Sequence, residues 1–243
     1  MHGCDLNTSL LTLGSTSSHS LPTLLGQKIG YSPTTSFAPV GLIGRTPTVL
    51  LAHPGLGSRY ADVIERLRSQ PGRINYASSG NGTVVHLGTE YFKAQAGLFI
   101  VHIPYKGTAL AIPDLVSGKL DVLFDSLPTG MPHVRDGRLR ALGITTLKRS
   151  PLAPELPPIA DVLPGYESTT WFGLYGPKGL PPELQQRINV AAGQTLADPE
   201  VRDKLQRMGI EAVTGSAQQL AAMVAADTAK WKKIIVERRI STD

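Results

Sequence analysis

The chain of 243 residues has an ordinary globular composition, with 41% hydrophobic and 18% charged residues, and is long enough to bury a sizeable core. Its single cysteine, Cys4, excludes an internal disulfide and a metal site built from several cysteines. The net charge of +5 comes from scattered lysines and arginines, which argues against a nucleic-acid interface, although a mildly basic protein favours anionic ligands.

Strand-like and helix-like segments alternate along the sequence. Strands are predicted at 10–14, within an extended run at 39–53, and at 74–77, 99–103, 121–124, 140–145 and 171–175. Helices are predicted after Ser58 and at 83–96, 109–117, 181–196, 199–207 and 216–238. This alternation predicts an α/β fold with largely parallel sheets.

The sequence has no segment that predicts a membrane anchor or an exported chain. No apolar run reaches the roughly 18 residues that a membrane helix needs. The first residues, Met1-His2-Gly3-Cys4-Asp5, lack the basic and then apolar pattern of a signal peptide. Taken literally, the sequence predicts a cytoplasmic chain.

The stretch SSGNGT, residues 78–83, joins a predicted strand to a predicted helix. It offers hydroxyl groups and the amides of Gly80 to Thr83 at a helix N-terminus, where N–H groups are unpaired and small residues let an anion approach. Ligands collect at such strand–helix junctions in parallel α/β folds. Because the Walker and dinucleotide patterns are absent, the loop favours a small carboxylate or oxyanion over a nucleotide. The structural alternative is a capped helix after a tight turn.

Three other predicted strands also end in polar residues. The first is followed by STSSHS at 15–20, and a later one by Tyr105 and Lys106 in HIPYKGTA. Asp125 and Ser126 follow the apolar strand in LFDSLP, where a carboxylate can receive a ligand amine or hydroxyl. Each has a plain structural alternative, namely a surface loop, a solvated lysine or a helix cap.

The sequence has no recognisable catalytic signature. It lacks a G-x-S-x-G elbow, and its six histidines are too dispersed for a metal motif. Ser79 or Ser126 with His86 is the one thin candidate for a nucleophile–base pair, which leaves a serine-type hydrolase as an alternative. A second alternative is a cytoplasmic ligand-sensing module, although no helix-turn-helix segment is found.

Several long motifs occur in order along the chain. They include NYASSGNGTVVHLGTEYFK, IVHIPYKGTALAIPDLVSGKLDVLFDSLP, GRLRALGITTLKRSPLAPELPPIADV, GYESTTWFGLYGPKGLPPEL and LADPEVRDKL. Together they resemble the Bug family, the periplasmic solute-binding receptors of tripartite tricarboxylate transporters. The resemblance implies a two-lobed type II periplasmic-binding-protein fold that holds a small carboxylate, with no cofactor and no reaction. The partners it implies are membrane permease subunits and, in some cases, a sensor kinase, with no nucleic acid.

The resemblance also implies ligand-binding residues in three segments. SSGNGT is similar to the second-lobe loop that faces the ligand carboxylate, and STSSHS resembles the first-lobe loop GTSSTH. FDSLP matches the position that meets a ligand amine or hydroxyl. Tyr105 and Lys106 only shape the site. The ligand-binding residues carried over are Ser15, Thr16, Ser17, Ser18, Ser78, Ser79, Asn81, Gly82, Thr83 and Asp125.

The sequence departs from the family pattern at its N-terminal end. Family members normally begin with an export signal, a strand with a PFPPGG-type loop and an NRPGAGG-like segment, and these are not present. We therefore expect an incomplete first lobe, which indicates an N-terminally truncated chain or, alternatively, a degenerate receptor. The predicted first lobe comprises 1–45 and 173–243, and the second comprises 46–172. A full-length family member is periplasmic, whereas no export signal is predicted in this chain.

Overall fold

The computed structural model describes residues 11–241, which form eight strands and eight helices joined by short 3-10 and π-helical turns. The strands are β1 (Thr12–Ser15), β2 (Phe37–Ala52), β3 (Asn75–Ser78), β4 (Val101–Pro104), β5 (Val122–Ser126), β6 (Arg140–Ile144), β7 (Thr169–Pro177) and β8 (Glu211–Ala212). The helices are α1 (Leu21–Leu24), α2 (Tyr60–Ser69), α3 (Val84–Ala96), α4 (Ile112–Val116), α5 (Leu127–Arg135), α6 (Pro182–Ala197), α7 (Pro199–Arg207) and α8 (Ala217–Arg238). Leu10, in the first predicted strand, lies outside the described residues.

Internal contacts divide the chain into two compact units. The first contains 11–45 and Thr170–Lys233, and the second contains Thr46–Thr169 and 234–241. The predicted lobes differ from these units most at the end of α8, because the prediction places 234–243 in the first lobe. In the structure the described part of this segment groups with the second unit, where Arg238 Nε donates to Glu90 Oε2 at 2.9 Å.

The sheet of the second unit has mixed strand directions. β3 runs parallel to β4 and β5, but β2 runs antiparallel to β5 and β6. The prediction of largely parallel sheets was therefore wrong for β2, and it was also wrong for the first unit, where β1 pairs antiparallel with β7. Strand–helix alternation predicts parallel pairing for strands joined by a crossover helix. β2, however, enters this sheet as the last part of a 16-residue strand that begins in the first unit.

Both faces of this sheet are covered by apolar side chains, which explains the near-continuous apolar sequences of its central strands. Leu50, Tyr76 and Phe124 pack on one face with residues of α2 and α3. Leu51 and Leu123 pack on the other face with residues of α4 and α5. Because neighbouring residues of a strand point to opposite faces, this double core orients the strands that lead into the candidate loops.

The first unit contains a smaller core. β1 pairs antiparallel with β7, which places Gly14 opposite Gly173, and β8 pairs antiparallel with β2. Trp171 and Tyr175 of β7 pack with Leu220 of α8. The Trp171 indole N–H donates to Asp227 Oδ2 at 2.9 Å, so this buried indole is paired.

Two helical glycines allow a matched test of the packing around α3. A Cβ atom added at Gly88 would lie 2.2 Å from Ser168 Oγ and 3.1 Å from Ser168 Cβ, whereas one at Gly193 in α6 would meet nothing within 4 Å. We expect Gly88→Ala to lower the free energy of unfolding by about 1–3 kcal/mol through overpacking. Gly193→Ala should raise it by about 0.5–1 kcal/mol, because alanine favours a helix.

Urea denaturation of both variants, with the wild type beside them, checks this prediction. Equal stabilisation by the two alanines would contradict the close packing of α3 against Ser168.

Candidate functional site

The loop between β3 and α3 is a short polar turn that caps the helix. It contains residues 79–83, and its two glycines have positive φ angles of +123° at Gly80 and +70° at Gly82. Thr83 is the N-cap of α3, with its Oγ1 accepting from the His86 amide at 3.3 Å. Glycine is required where the backbone takes these angles, so the glycines fix the path of the loop into the helix.

Most hydrogen-bonding groups of the loop are satisfied within it. The Ser79 hydroxyl donates to Thr83 Oγ1 at 3.0 Å, and the Thr83 hydroxyl donates to the Gly80 carbonyl at 2.8 Å. The Gly80 amide donates to Ser78 Oγ at 3.1 Å, the Gly82 amide to His86 Nδ1 at 3.1 Å and the Thr83 amide to the Gly80 carbonyl at 3.4 Å. Three of the four amides considered for an anion are thus engaged. Among residues 11–241, nothing accepts a hydrogen bond from the fourth, Asn81, and its side chain is exposed.

Two stacked histidines, His86 and His102, contact the two ends of the loop. The rings of His86 and His102 have centroids 4.1 Å apart at 12°, and His102 stacks in turn on Tyr76 at 4.8 Å. His102 Nε2 lies 2.6 Å from Ser78 Oγ, so the fully buried Ser78 is part of the support of the loop. Residues at both ends of the turn are held by these imidazole rings.

Burial keeps both imidazoles in their neutral form at neutral pH. It is the main cause that lowers the pKa of His86, with Glu90 opposing the shift and Lys93 adding to it. Burial also lowers the pKa of His102 to about 4, with His86 as the next cause. Because the Gly82 amide donates to His86 Nδ1, the neutral tautomer of His86 carries its proton on Nε2.

A buried carboxylate ties α3 to neighbouring elements. Glu90 accepts hydrogen bonds from the Tyr76 hydroxyl at 2.6 Å, from Lys93 and from Arg238 at 2.9 Å. Burial by itself raises the pKa of Glu90, but these donors outweigh it and lower the pKa below its usual value. The ionised carboxylate therefore joins β3, α3 and the end of α8.

Asp125 is a buried carboxylate with one incompletely satisfied oxygen. Its side chain is 1% exposed, its Oδ1 accepts from the Ser126 amide at 2.8 Å, and Oδ2 has no hydrogen-bond partner among residues 11–241. Burial raises its pKa, against the smaller opposing effects of Thr108, the Ser126 amide and His133. Ser126, rather than Asp125, caps α5 by accepting from the Thr129 amide. Asp125 thus has one buried acceptor that no donor among the described residues satisfies.

Tyr105 and Lys106 have separate roles in the structure. The Tyr105 hydroxyl donates to Asp114 Oδ2 at 2.7 Å, and its ring packs on the core beside α4. The Lys106 side chain is exposed.

The hydroxyl-rich loop of the first unit begins a helical segment after β1. Ser15 ends the strand, and its amide donates to Ser18 Oγ at 2.9 Å. Thr16 is buried and its Oγ1 accepts from the Trp171 amide at 3.3 Å, whereas Ser17 is exposed. Ser15, Thr16 and Ser18 therefore shape this turn.

The proposed nucleophile–base pair does not form in the described structure. His86 Nδ1 accepts from the Gly82 amide, and the Ser79 hydroxyl donates to Thr83. The Ser126 hydroxyl lies 2.8 Å from Thr129 Oγ1. Within the described range, no group of three or more histidine, cysteine, aspartate or glutamate side chains is placed to hold a metal ion.

Comparison with known proteins identifies the family. Residues 8–240 match the family described as tripartite tricarboxylate transporter family receptor. The chain belongs to this family. It is 30% identical to protein BugT of Bordetella pertussis over 227 residues, covering 91% of this chain and 70% of BugT, which supports the predicted Bug relationship. It is 36% identical to a UPF0065 protein from the tcbD–tcbE intergenic region of Pseudomonas sp. strain P51, over 89% of this chain but 65% of that relative.

Solved structures confirm the two-lobed periplasmic-binding-protein fold. An R. palustris protein with adipate is 34% identical, with a TM-score of 0.78 and coverage of 95% of this chain and 78% of that one. MatC from Rhodopseudomonas palustris with bound malate is 26% identical, with a TM-score of 0.72 and coverage of 93% and 78%. A family member from Polaromonas shares the fold at a TM-score of 0.83 and 20% identity, covering 93% of this chain and 77% of that one. No helix in the described part of this receptor is long and apolar enough to cross a membrane.

The unpaired oxygen of Asp125 predicts an unusual response to pH. Since burial raises its pKa above the unfolded value, its contribution to stability is present at low pH and is lost as pH rises through the folded pKa. We expect Asp125→Asn to raise the free energy of unfolding at pH 8 by about 1 kcal/mol, because a neutral amide costs less to bury than a carboxylate. The gain should shrink towards pH 4.

Asp114→Asn is the matched control, because hydrogen bonds from Tyr105 and Lys119 lower the pKa of Asp114. This variant should be less stable than the wild type at pH 8, and its deficit should fade as pH falls through the folded pKa of Asp114. Denaturation at pH 4, 6 and 8 measures both variants. A loss of stability in Asp125→Asn at pH 8 would refute the account of Asp125.

Proposed function

We propose that this receptor binds a small carboxylate as the extracytoplasmic solute-binding component of a tripartite tricarboxylate transporter. The loop at residues 79–83 carries the proposal, because it places small polar groups at the N-terminus of the 13-residue helix α3. An unpaired helix N-terminus has a partial positive charge that favours an anion. Support comes from the family and from the adipate and malate complexes of two neighbours.

The donors proposed for the ligand include groups that the loop leaves free and hydroxyls that would exchange an internal hydrogen bond for one to the ligand. The Asn81 amide and its exposed side chain offer N–H groups, and the hydroxyls of Ser79 and Thr83 lie beside them in the same turn. Ser78 and Gly82 act by supporting the loop, since their polar groups face His102 and His86. Of the five residues predicted in this loop, Ser79, Asn81 and Thr83 are thus proposed to contact the ligand directly.

Two further elements complete the proposed binding groups. Asp125 Oδ2 accepts from a ligand hydroxyl or amine, because it is the one carboxylate oxygen of this residue without a donor among residues 11–241. In the first unit, the exposed Ser17 supplies a hydroxyl, while Ser15, Thr16 and Ser18 shape its turn.

The family supports a proposed role in transport. We propose that the receptor acts in the periplasm and that membrane permease subunits bind its liganded form. The proposal involves no chemical step and no cofactor.

Variants of the loop give a direct test of ligand binding. We expect calorimetry to detect binding of adipate or malate to the wild type. Ser79→Ala and Asn81→Ala should each weaken that binding by about tenfold, which is the effect of losing a hydrogen bond to a charged group. Asn81→Ala should leave the melting temperature unchanged, because the Asn81 side chain is exposed.

Ser117→Ala is the control for Ser79→Ala. Ser117 lies in the same unit at the end of α4, away from the proposed loop, and its hydroxyl likewise makes a local hydrogen bond, which it donates to the Asp114 carbonyl at 3.1 Å. It should bind like the wild type. If the folded wild type binds no di- or tricarboxylate, or if all three variants bind equally well, the proposed site is wrong.

A further inference from the structure

His86 makes a hydrogen bond that depends on its protonation state. It lies in the first turn of α3, and its Nδ1 accepts from the Gly82 amide at 3.1 Å. A histidine nitrogen accepts a hydrogen bond only when it carries no proton. The position of the Gly82 amide therefore requires neutral His86.

The ring of His86 cannot easily turn to present its other nitrogen. It stacks on His102 with 12° between the planes, and His102 is held by Ser78 on one side and by the ring of Tyr76 on the other. The stack holds the plane of the ring, and the hydrogen bond from the Gly82 amide sets which edge of it, the one with Nδ1, faces the loop. His102 contacts Ser78 before the turn, and His86 contacts Gly82 near its end.

Protonation of His86 would place an N–H group against the N–H group of Gly82. The charge would also lie against His102 across 4.1 Å. Among the charged groups of this network, Glu90 favours the cation and Lys93 disfavours it. Glu90 already accepts hydrogen bonds from Tyr76, Lys93 and Arg238, so it would stabilise a positive charge on His86 only weakly. The titratable and charged groups packed around the ring are His102 on β4, Tyr76 on β3, Glu90 and Lys93 on α3, and Arg238 on α8.

We propose that His86 is a positioning residue for ligand binding, which in its neutral form holds Gly82 and the loop in the binding conformation and on protonation releases them. Ligand affinity then falls in mild acid because the loop loses its order, in addition to any effect of the ligand's own ionisation. This inference rests on the proposed function, since it assigns a supporting group to the same loop.

Asparagine offers a substitution that separates positioning from titration. The Oδ1 atom of Asn occupies nearly the place of His Nδ1 and accepts a hydrogen bond at every pH. His86→Asn should bind adipate or malate within about threefold of the wild type at pH 7.5 and lose less affinity than the wild type between pH 7.5 and 5.5. His86→Leu should bind about three- to tenfold more weakly at pH 7.5, because it lacks the acceptor.

His53→Asn is the matched control. His53 Nδ1 also accepts from a glycine amide, that of Gly55, at 3.1 Å. His53 follows the end of β2, which pairs with the start of β5. The loop at residues 79–83 follows the end of β3, which runs parallel to β5. The two positions therefore lie at opposite ends of the sheet. His53→Asn should keep the wild-type affinity and the wild-type pH profile.

A measurement on the free protein tests the contact without a ligand. In NMR spectra between pH 7.5 and 4.5, the Gly82 amide of the wild type should titrate with the same midpoint as the ring of His86. In His86→Asn this titration of Gly82 should disappear. If neither acid binds the wild type, the proposed function fails and the Gly82 signal alone decides the positioning role.

Two results would overturn the inference. One is a Gly82 amide that does not follow the titration of His86. The other is a His86→Leu variant that binds with the wild-type affinity and pH profile, because the ring would then serve packing alone.

Discussion

The buried carboxylate of Glu90 is the interaction on which the candidate loop depends most. It accepts from Tyr76 on β3, from Lys93 on α3 and from Arg238 near the end of α8. Breaking such a buried ion pair is costly, because it leaves an uncompensated charge. The strand that enters the loop and the helix that leaves it are therefore held at a fixed separation. Within that frame, two glycines with positive φ and the Thr83 cap determine the path of the turn.

The loop is a rigid turn with few free groups rather than an open set of amides. Its hydroxyls and three of its amides already form hydrogen bonds within the second unit. The imidazoles of His86 and His102 contact Gly82 and Ser78 and support the turn. A turn that is already ordered loses little conformational entropy when a ligand binds. The specificity of such a receptor then depends on a small number of donors and on the unpaired oxygen of Asp125.

Local signals in the sequence predicted most elements of the fold. The prolines at the starts of α6 and α7 and the Thr83 cap of α3 gave boundaries within about two residues of the observed ones. Helix α5 was missed because its interior contains Gly130 and Pro132, which disfavour a helix until tertiary packing supports it. The direction of β2 was also missed, since strand–helix alternation carries no information about a strand shared by two units.

The candidate residues could be named from the sequence, but their roles could not. The sequence places Ser78 and His102 far apart, and only the parallel pairing of β3 with β4 brings their side chains to 2.6 Å. His86 stood close to Ser79 in sequence and suggested a catalytic base, whereas its Nδ1 is directed at Gly82. Side-chain direction within a turn decides such contacts, and composition does not report it. The family relationship, confirmed over residues 8–240, supplied the binding hypothesis that the turn alone left open.

The most direct test of the central claim is to map amide chemical shifts of the wild-type receptor while adipate is added. The account predicts saturable shifts in the second-unit loop, with Asn81 among the largest, and in residues 15–18 of the first unit. Saturable shifts confined to other surfaces, or no shifts at millimolar adipate and malate, would contradict the assignment of these loops to carboxylate binding.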